Sequence, residues 1–278
     1  MTSVGAVMVE VNQTEGELTR PARYQPVDGD PPFECLGLRT FRWQVGPGIL
    51  FRHKRIQFDL VIAPTQGRGT HIVDFTPVNL DRNHWLHIRP GQTHRFVRSN
   101  FEADLILFQP ISAAPREPGP RTLQFTDDQL DNLAPLLNFI KIDRGGRGDR
   151  RVMSVTRALL IEQLKLDARP ANHQPLCEEF QRLVEMRVTE LRSVSDYAAL
   201  LSCSTRDLAH ACRRSRAGEP QKIIDQALLL EAKRLLSQQN ATVANVASFL
   251  DFGEASFVRF FKRTNGQRLT DWVDEHLQ

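Results

Sequence analysis

The chain has few cysteines, no long apolar run and no large excess of one charge. Its four cysteines are scattered without a CxxC pair, which argues against a zinc site or a disulfide framework and favours buried reduced thiols. No segment reaches the roughly 18 apolar residues of a membrane span. The first 30 residues contain three glutamates and no continuous apolar core. We therefore expect no secretory signal, no membrane span and a cytoplasmic protein.

The overall charge identifies no partner. The net charge is +3, and a content of 41% hydrophobic and 25% charged residues is ordinary for a globular protein. Local charge is more informative, because residues 205–216 and residues 254–268 each carry four basic side chains against one acidic side chain. Phosphate contact requires basic segments of this kind. The 278 residues also suffice for two domains with separate cores.

An internal repeat is the most informative pattern in the chain. Residues 194–220 recur as residues 243–269, at a constant offset of 49. Each copy begins as an apolar helix, continues through a short turn and ends in a basic helix, and one supersecondary unit used twice produces such a repeat. The pattern predicts two helix-turn-helix units, at 194–217 and 243–266, that read DNA in tandem.

The helix signals inside the two units support this prediction. Ser204 can cap the second helix of the first unit, and Asp207 completes a pair similar to a capping box. Gly253 takes the corresponding position in the second unit without a side chain to cap. The side chains predicted to face inward are Leu208 and Cys212 in the first unit and Phe257 and Phe261 in the second. Cys203 falls in the first turn.

A connector helix is predicted between the units, at residues 221–237. A helix of that length spans about 26 Å, whereas half-sites on one face of DNA lie roughly 34 Å apart. Crossing angles and loops can supply the remainder, so the connector suits two recognition helices in successive major grooves.

The N-terminal half has a different pattern. Residues 1–32 are predicted to form an arm, and short alternating runs from Phe33 to Pro110 predict strands of a sandwich or small barrel, separated by turns at 46–48, 67–69 and 90–91. Helices follow, the first capped by Thr126 and kinked or split by Pro135. Their apolar stripes can cap the barrel core or bury themselves against a second copy of the chain. The polar stretch 167–175 is the best interdomain boundary.

Residues 176–278 resemble the DNA-binding domain of the AraC/XylS family of bacterial transcription regulators. The residues that carry this resemblance are Tyr197–Leu201, Ser204, Leu208, Glu231–Leu236, Val246, Ala247, Phe252, Phe257–Arg263 and Gly266. Residues 33–115 resemble, more weakly, the family's cupin-like effector barrel through residues 69–75 and 90–94. The resemblance implies an α+β protein: an N-terminal cupin-like β-barrel, a helical dimerisation segment at 121–168, and a C-terminal all-α domain with two helix-turn-helix units joined by a connector helix.

The resemblance also implies partners and DNA contacts. We expect double-stranded promoter DNA, a small-molecule effector, a second copy of the chain and RNA polymerase as partners, with no cofactor, metal or enzymatic activity. The DNA-binding residues are expected to be Arg206, His210, Arg213, Arg214, Glu254, Arg259, Lys262 and Arg263, with Ala209, Ala255 and Val258 also facing base edges. Arginine suits guanine and glutamate can accept from cytosine. Two alternatives stay open: an internal salt bridge for Arg259, and compensation of the helix N-terminal charge for Glu254.

This chain departs from the family pattern at several positions. The second unit is one residue short between Phe252 and Phe257, and Asp251 stands where glycine is usual. Cys212 occupies a position where phenylalanine is common, Leu269 replaces a usual proline and Val273 a usual arginine. The short turn leaves open which positions of the second recognition helix read bases.

The effector residues predicted for the barrel are Arg39, His71, Trp85 and His94. Alternation along the strand places His71 on the same face as Val73, which we expect to be interior. A metal-dependent cupin enzyme or metal sensor fused to the DNA-binding domain is the alternative, although only His71 and His94 are suitably placed as ligands. In a third possibility the barrel binds no effector and serves only for dimerisation or contact with another protein.

Overall fold

The chain folds into two compact units. The computed structural model describes residues 38–45, 53–97, 100–111, 119–142, 150–164, 175–238 and 240–277. The first unit comprises Met1–Ser112 and Gly119–Asp167, and the second comprises Ala113–Pro118 and Ala168–Gln278. The predicted arm and the predicted turn at 46–48 lie outside the described residues.

The first unit is built on an antiparallel sheet. Its strands are β1 (Leu38–Val45), β2 (Lys54–Arg55), β3 (Asp59–Val73), β4 (Thr76–Leu80), β5 (His84–Ile88), β6 (Thr93–Phe96), β7 (Asn100–Phe108) and β8 (Arg121–Gln124). The main order is β1-β7-β3-β5-β8, while β4 and β6 pair with β3, and β2 pairs with β6. The α+β class is confirmed. The described pairings leave β1 and β8 at two edges, so the expected barrel is here an open sheet.

The prediction of a turn at 67–69 is wrong. Strand β3 continues through this segment, where Gly67 pairs with Phe101 and Arg68 with Asn100. The register shifts between Pro64 and Gln66, and Gly67 has a φ of 76°. A Cβ at Gly69 would lie 2.2 Å from the Phe101 ring. These glycines therefore allow a bend and a close approach within one long strand, which a sequence pattern does not distinguish from a turn.

The two faces of the sheet bury separate apolar clusters. One cluster includes Ile62, Leu86 and Phe96. The other packs the sheet residues Val61, Trp85, Ile106 and Phe108 against the apolar stripes of α1 (Asp127–Ile142) and α2 (Arg150–Gln163). Helix α1 is unbroken at the exposed Pro135 and begins with the predicted cap, where the amide of Gln129 donates to Thr126 Oγ1 at 3.3 Å. Both helices thus cap the core of the sheet.

The second unit is helical throughout its described part. Its helices are α3 (Pro175–Arg187), α4 (Val194–Leu200), α5 (Thr205–Arg214), α6 (Pro220–Leu236), α7 (Val243–Phe249), α8 (Glu254–Asn265) and α9 (Leu269–Leu277). The predicted connector is α6, which packs against α3, α4 and α5 as well as α7 and α8. Its buried edge includes Ile224, Leu228 and Leu235. In the described part of the chain, none of the helices is long and apolar enough to cross a membrane.

Candidate nucleic-acid interface and effector site

The helix bounds reproduce the 49-residue repeat of the sequence. Helices α4 and α7 have 7 residues each and begin at Val194 and Val243. The recognition helices α5 and α8 begin at Thr205 and Glu254, again at the same offset. The two predicted helix-turn-helix units are therefore present with equal spacing between their helices.

The two turns have the same backbone conformation. Ser202 and Asp251 occupy the left-handed region, with φ values of 50° and 51°. The amide of Cys203 donates to Ala198 O at 3.0 Å, and the amide of Phe252 donates to Ala247 O at 2.8 Å. The turn of the second unit is one residue shorter than is usual in the family. It nevertheless has the same geometry as the first turn and places its recognition helix in the same way.

The recognition helices differ in their N-terminal caps. Ser204 accepts from the Asp207 amide at 3.1 Å, and its hydroxyl donates to Asp207 Oδ2 at 2.6 Å. This hydrogen bond from Ser204 lowers the pKa of the Asp207 carboxyl. Gly253 occupies the cap of α8 without a side-chain hydrogen bond. The capping pair predicted for the first unit is thus confirmed, as is the uncapped start of the second.

The charged side chains and the histidine predicted to contact DNA are all exposed on their recognition helices: Arg206, His210, Arg213, Arg214, Glu254, Arg259, Lys262 and Arg263. Of the three apolar residues predicted to face base edges, Ala255 and Val258 are exposed and Ala209 is half-buried. The inward predictions are also met, because Leu208, Cys212, Phe257 and Phe261 are fully buried. Each helix therefore separates an apolar inner side from an outer side with basic residues.

The basic residues of α8 have different neighbours. Arg259 Nη2 donates to Ser256 Oγ at 3.0 Å, so its described partner is a hydroxyl and not the carboxylate of an internal salt bridge. Arg263 lies 3.6 Å from Asp225 of the connector and close to the Phe260 ring. Arg259 is consequently the freer of the two guanidinium groups to reach DNA.

The surface beside Arg259 contains a residue that the sequence analysis missed. The Arg192 guanidinium lies 4.6 Å from the centre of the Phe252 ring and donates to Leu250 O. A surface cavity of about 520 Å³ adjoins this ring, lined by Phe252, Ser256, Arg259, Phe260 and Arg263. Arg192 precedes the repeat, and its contact with the second turn crosses 58 residues of sequence, so no local pattern indicated it.

Two of the predicted effector residues meet in the core of the sheet unit. His71 on β3 and His94 on β6 are buried, and His71 Nε2 lies 3.0 Å from His94 Nδ1. Burial, followed by the nearby charges of other basic groups, lowers the pKa of both rings, that of His94 to about 3. Both rings are therefore neutral, and one donates to the other. His71 Nδ1 has no hydrogen-bond partner within the described residues.

The other two predicted effector residues do not join this pair. Trp85 belongs to the cluster on the other face of the sheet, and its Nε1 donates to Arg82 O at 2.8 Å. The backbone of Arg39 pairs with Leu107 on β7, while its side chain lies outside the described part of the structure. Packing therefore does not support one pocket shared by Trp85 and the two histidines.

A second buried polar pair was not predicted. His87 Nε2 lies 2.7 Å from Asp59 Oδ1, and Asp59 Oδ2 accepts from the Ile111 amide at 2.8 Å. The two residues are distant in sequence and lie on paired strands. Within the described residues, no group of three or more His, Cys, Asp or Glu side chains could hold a metal ion.

Comparison with known proteins concerns the helical unit that contains both helix-turn-helix units. Residues 197–275 match the family model described as a helix-turn-helix domain. No curated protein sequence matches the chain. Together with the two turns and their exposed basic helices, the match defines a tandem helix-turn-helix DNA-binding domain.

Solved structures that are similar to this chain include those of three proteins. ToxT from Vibrio cholerae O395 is 11% identical over 86% of this chain and 98% of its own, with a TM-score of 0.45. A regulator with an AraC-type DNA-binding domain from Chromobacterium violaceum is 21% identical over 39% and 98%, with a TM-score of 0.35. The AraC-like activator CuxR is 16% identical over 70% and 78%, with a TM-score of 0.31. Because these scores are below 0.5, the assignment rests on the domain match and the helix geometry.

The helix-turn-helix domain is of AraC type, as the sequence resemblance implied. The chain is a DNA-binding transcription regulator that carries this domain in its C-terminal part.

Proposed function

We propose that this regulator reads promoter DNA with both recognition helices at once, under the control of a small molecule bound in the sheet unit. The observation that carries the first part is the duplicated turn, with φ near 50° at Ser202 and Asp251, which presents two exposed helices in the same way. Helix α6 is a single 17-residue connector between the two units. A connector of this length supports placement of the two recognition helices in successive major grooves. The protein acts in the cytoplasm, contacts RNA polymerase and catalyses no reaction of its own.

The exposed faces suggest which groups read sequence. Arg206 and His210 face bases from α5, and Glu254 and Arg259 face bases from α8. The basic residues toward the ends of the two helices, Arg213, Arg214, Lys262 and Arg263, contact phosphates, which fix the register of the protein on the duplex. The exposed Val258, with 40% of its surface accessible, suits the methyl group of thymine.

Selection of bound duplexes from a random double-stranded library, followed by footprinting, tests this proposal. We expect one enriched sequence with two half-sites about one helical turn apart, bound more weakly as salt rises. Lys222→Ala is the matched control for Arg259→Ala, because Lys222 is an exposed basic residue of the connector that lies outside the proposed interface. Absence of an enriched sequence, or protection of a single half-site, would contradict tandem reading.

The buried histidine pair is the proposed effector site. A polar pair inside an apolar cluster, with His71 Nδ1 lacking a partner among the described atoms, is suited to accept or donate one further hydrogen bond to a ligand. Arg39 and Trp85 remain predictions for this site: Trp85 lies in the cluster on the other face of the sheet, and the Arg39 side chain lies outside the described residues.

A thermal-shift screen of sugars, aromatic acids and nucleotides on the full chain tests effector binding, because a ligand of the native state raises the melting temperature. The expected ligand stabilises the native protein and loses its effect in His71→Gln. His210→Gln, a change of the same kind on the exposed face of α5, should keep the response. If no compound shifts the melting temperature, the sheet unit serves only for dimerisation or protein contact.

The second candidate function is that of a metal enzyme or metal sensor, and the buried pair of His71 and His94 is the observation that favours it. Elemental analysis of the purified chain, with DNA affinity measured before and after chelation, tests it. Stoichiometric metal, or a chelator-dependent change in affinity, would support this alternative.

We also propose that a second copy of the chain covers the outer face of α2. Its buried face caps the sheet, but Val152, Val155 and Leu159 are 44%, 59% and 46% exposed. The spacing i, i+3, i+7 puts all three on one stripe, which suits an identical helix packed beside it. Sedimentation should show a dimer that Val155→Lys dissociates and Ser154→Lys, on another face, does not. A monomeric wild-type protein would overturn this proposal.

A further inference from the structure

Two buried cysteines face each other at the first helix-turn-helix unit. Cys177 of α3 and Cys212 of α5 have no exposed surface, and their Sγ atoms lie 3.5 Å apart. Cys177 is the third residue of α3, and Cys212 lies in the last turn of α5. The Ser215 hydroxyl lies 3.0 Å from Cys177 Sγ, to which it can donate. The pair therefore joins the helix that precedes the first unit to the helix that reads DNA.

The surroundings of the two thiols make them chemically unequal. The hydrogen bond with Cys212, and then that from Ser215, lower the pKa of Cys177 to about 7, against the opposing effects of burial and Glu178. The same contact and burial raise the pKa of Cys212. The start of a helix also favours a thiolate. The position of Cys177 in the first turn of α3, with the Ser215 hydroxyl 3.0 Å from its Sγ, makes it the nucleophile of the pair and Cys212 the resolving thiol.

The second unit shows that the fold does not require a thiol at this place. At the offset of 49, Phe261 stands where Cys212 stands and Thr264 stands where Ser215 stands. Phe261 is fully buried and fills the corresponding core. A cysteine at this position, opposite a second cysteine from another helix, calls for a reason beyond packing.

We propose that Cys177 and Cys212 form a reversible disulfide in response to peroxide, and that the bond displaces the first recognition helix. The Cys177 thiolate attacks one peroxide oxygen, the O–O bond breaks, and water leaves after protonation, so that Cys177 becomes a sulfenic acid. Cys212 then attacks the Cys177 sulfur and releases a second water. Two thiols lose two hydrogens, and one hydrogen peroxide becomes two waters.

The bond changes the position of α5 because the sulfur atoms must approach. They lie 3.5 Å apart, whereas a disulfide holds them at about 2.05 Å. The approach of roughly 1.5 Å is shared between side-chain rotation and movement of α3 against α5. Because α5 carries Arg206 and His210, we expect DNA affinity to fall. Both cysteines lie within a terminal turn of their helices, where local opening admits a small oxidant.

Peroxide treatment of the full chain, followed by thiol blocking and peptide mass spectrometry, tests the proposal. We expect one cross-linked peptide pair containing Cys177 and Cys212, lighter by two hydrogens and removed by dithiothreitol. Affinity for a duplex selected with the reduced protein should fall at least about fivefold and recover on reduction.

Two variants serve as controls. Cys203→Ser removes a half-buried thiol of the same unit and should leave both the cross-link and the loss of affinity unchanged. Cys212→Phe copies the second unit and should abolish both while the reduced affinity persists; Cys177→Ser repeats this test if that variant misfolds. A cross-link through Cys35 or Cys203, over-oxidation of Cys177 without a cross-link, or a disulfide with unchanged affinity would overturn the proposal. If no duplex is selected at all, the proposal of tandem DNA reading is contradicted, whereas the peptide result still tests whether the disulfide forms.

Discussion

The two helix-turn-helix units have the same backbone and different interiors. Their helices begin at matched positions, and their turns share a left-handed residue with φ of 50° or 51°. Inside the second unit, the rings of Phe252, Phe257, Phe260 and Phe261 form a connected series of contacts, and Phe261 also contacts Trp272. The first unit has thiols at the positions of Phe252 and Phe261. The comparison shows that the turn and the apolar pattern define the motif, while the identity of the core side chains is free to serve another purpose.

The largest difference between the units should be in core stability. Phe261 is fully buried and its ring centre lies 5.7 Å from that of Trp272. Phe261→Ala should lower the free energy of unfolding of the second unit by about 3–5 kcal/mol, because it deletes a buried ring and leaves a cavity. Its matched change, Cys212→Ala, removes one sulfur atom and should cost less. Hydrogen exchange of residues 194–216 and 243–277 measures both changes. Equal losses of stability in the two variants would contradict the expected difference between the two cores.

DNA affinity should distinguish the units next. Arg259→Ala should weaken binding to the selected duplex by about 1–3 kcal/mol and relax the base preference at one position, if Arg259 reads a base. His210 occupies the matching position of the first unit, so His210→Ala tests the other half-site in the same way. Unchanged affinity for Arg259→Ala would remove its reading role, and a loss uniform across all sequences would make it a phosphate contact.

A fall in pH should lower the stability of the sheet unit more than that of the two helix-turn-helix units. Burial holds His94 neutral when folded, with its pKa lowered to about 3, whereas the unfolded chain binds the proton below about 6.5. The contribution of this ring to stability is therefore complete above the unfolded pKa and is lost as the pH falls toward the folded pKa. Between pH 7 and pH 5 the sheet unit should lose about 2 kcal/mol for this ring.

Denaturant-dependent hydrogen exchange at the two pH values measures this loss in residues 59–97. The two helix-turn-helix units provide the internal control, since the histidine of the first recognition helix, His210, is exposed. Equal destabilisation of the sheet and of both helical units would contradict the assignment of the effect to the buried pair.

The helix caps should give a smaller difference. Ser204→Ala removes the side chain that accepts from the Asp207 amide and should cost the first unit about 1 kcal/mol. Gly253→Ser should stabilise the second unit by a few tenths of a kcal/mol, because a Cβ at Gly253 would meet nothing within 4 Å. Urea unfolding of each variant measures both changes. If Gly253→Ser stabilises the protein by as much as Ser204→Ala destabilises it, the caps do not explain the difference between the two units.

The smallest expected effect is at the turns. Ser202→Gly and Asp251→Gly should each stabilise the protein by less than about 1 kcal/mol, because glycine relieves the left-handed conformation but loses more entropy on folding. Ser202 should benefit more, since aspartate tolerates this region better than serine. Urea midpoints of the two variants test the ranking, and a loss of stability in either would contradict the shared turn geometry.

Much of the DNA-binding unit could be predicted because its determinants are local. The spacing of Ala198, Leu201 and Leu208, repeated 49 residues later, predicted helix, turn and buried face within each unit. The sheet unit was less predictable. Glycine in residues 67–69 indicated a turn, but pairing of β3 with β7 keeps the strand extended there. Pairing partners that are distant in sequence decide such a case, and no local pattern reports them.

The sequence by itself determined the tandem motif, the exposure of its basic residues and the class of DNA-binding regulator, because helical periodicity and capping act over a few residues. Only the tertiary structure decided which distant side chains meet. It joined His71 to His94, kept Trp85 on the other face of the sheet, laid Arg192 over Phe252 and set Cys177 against Cys212. The physical reason is that these contacts depend on strand register and helix packing, which the whole fold establishes.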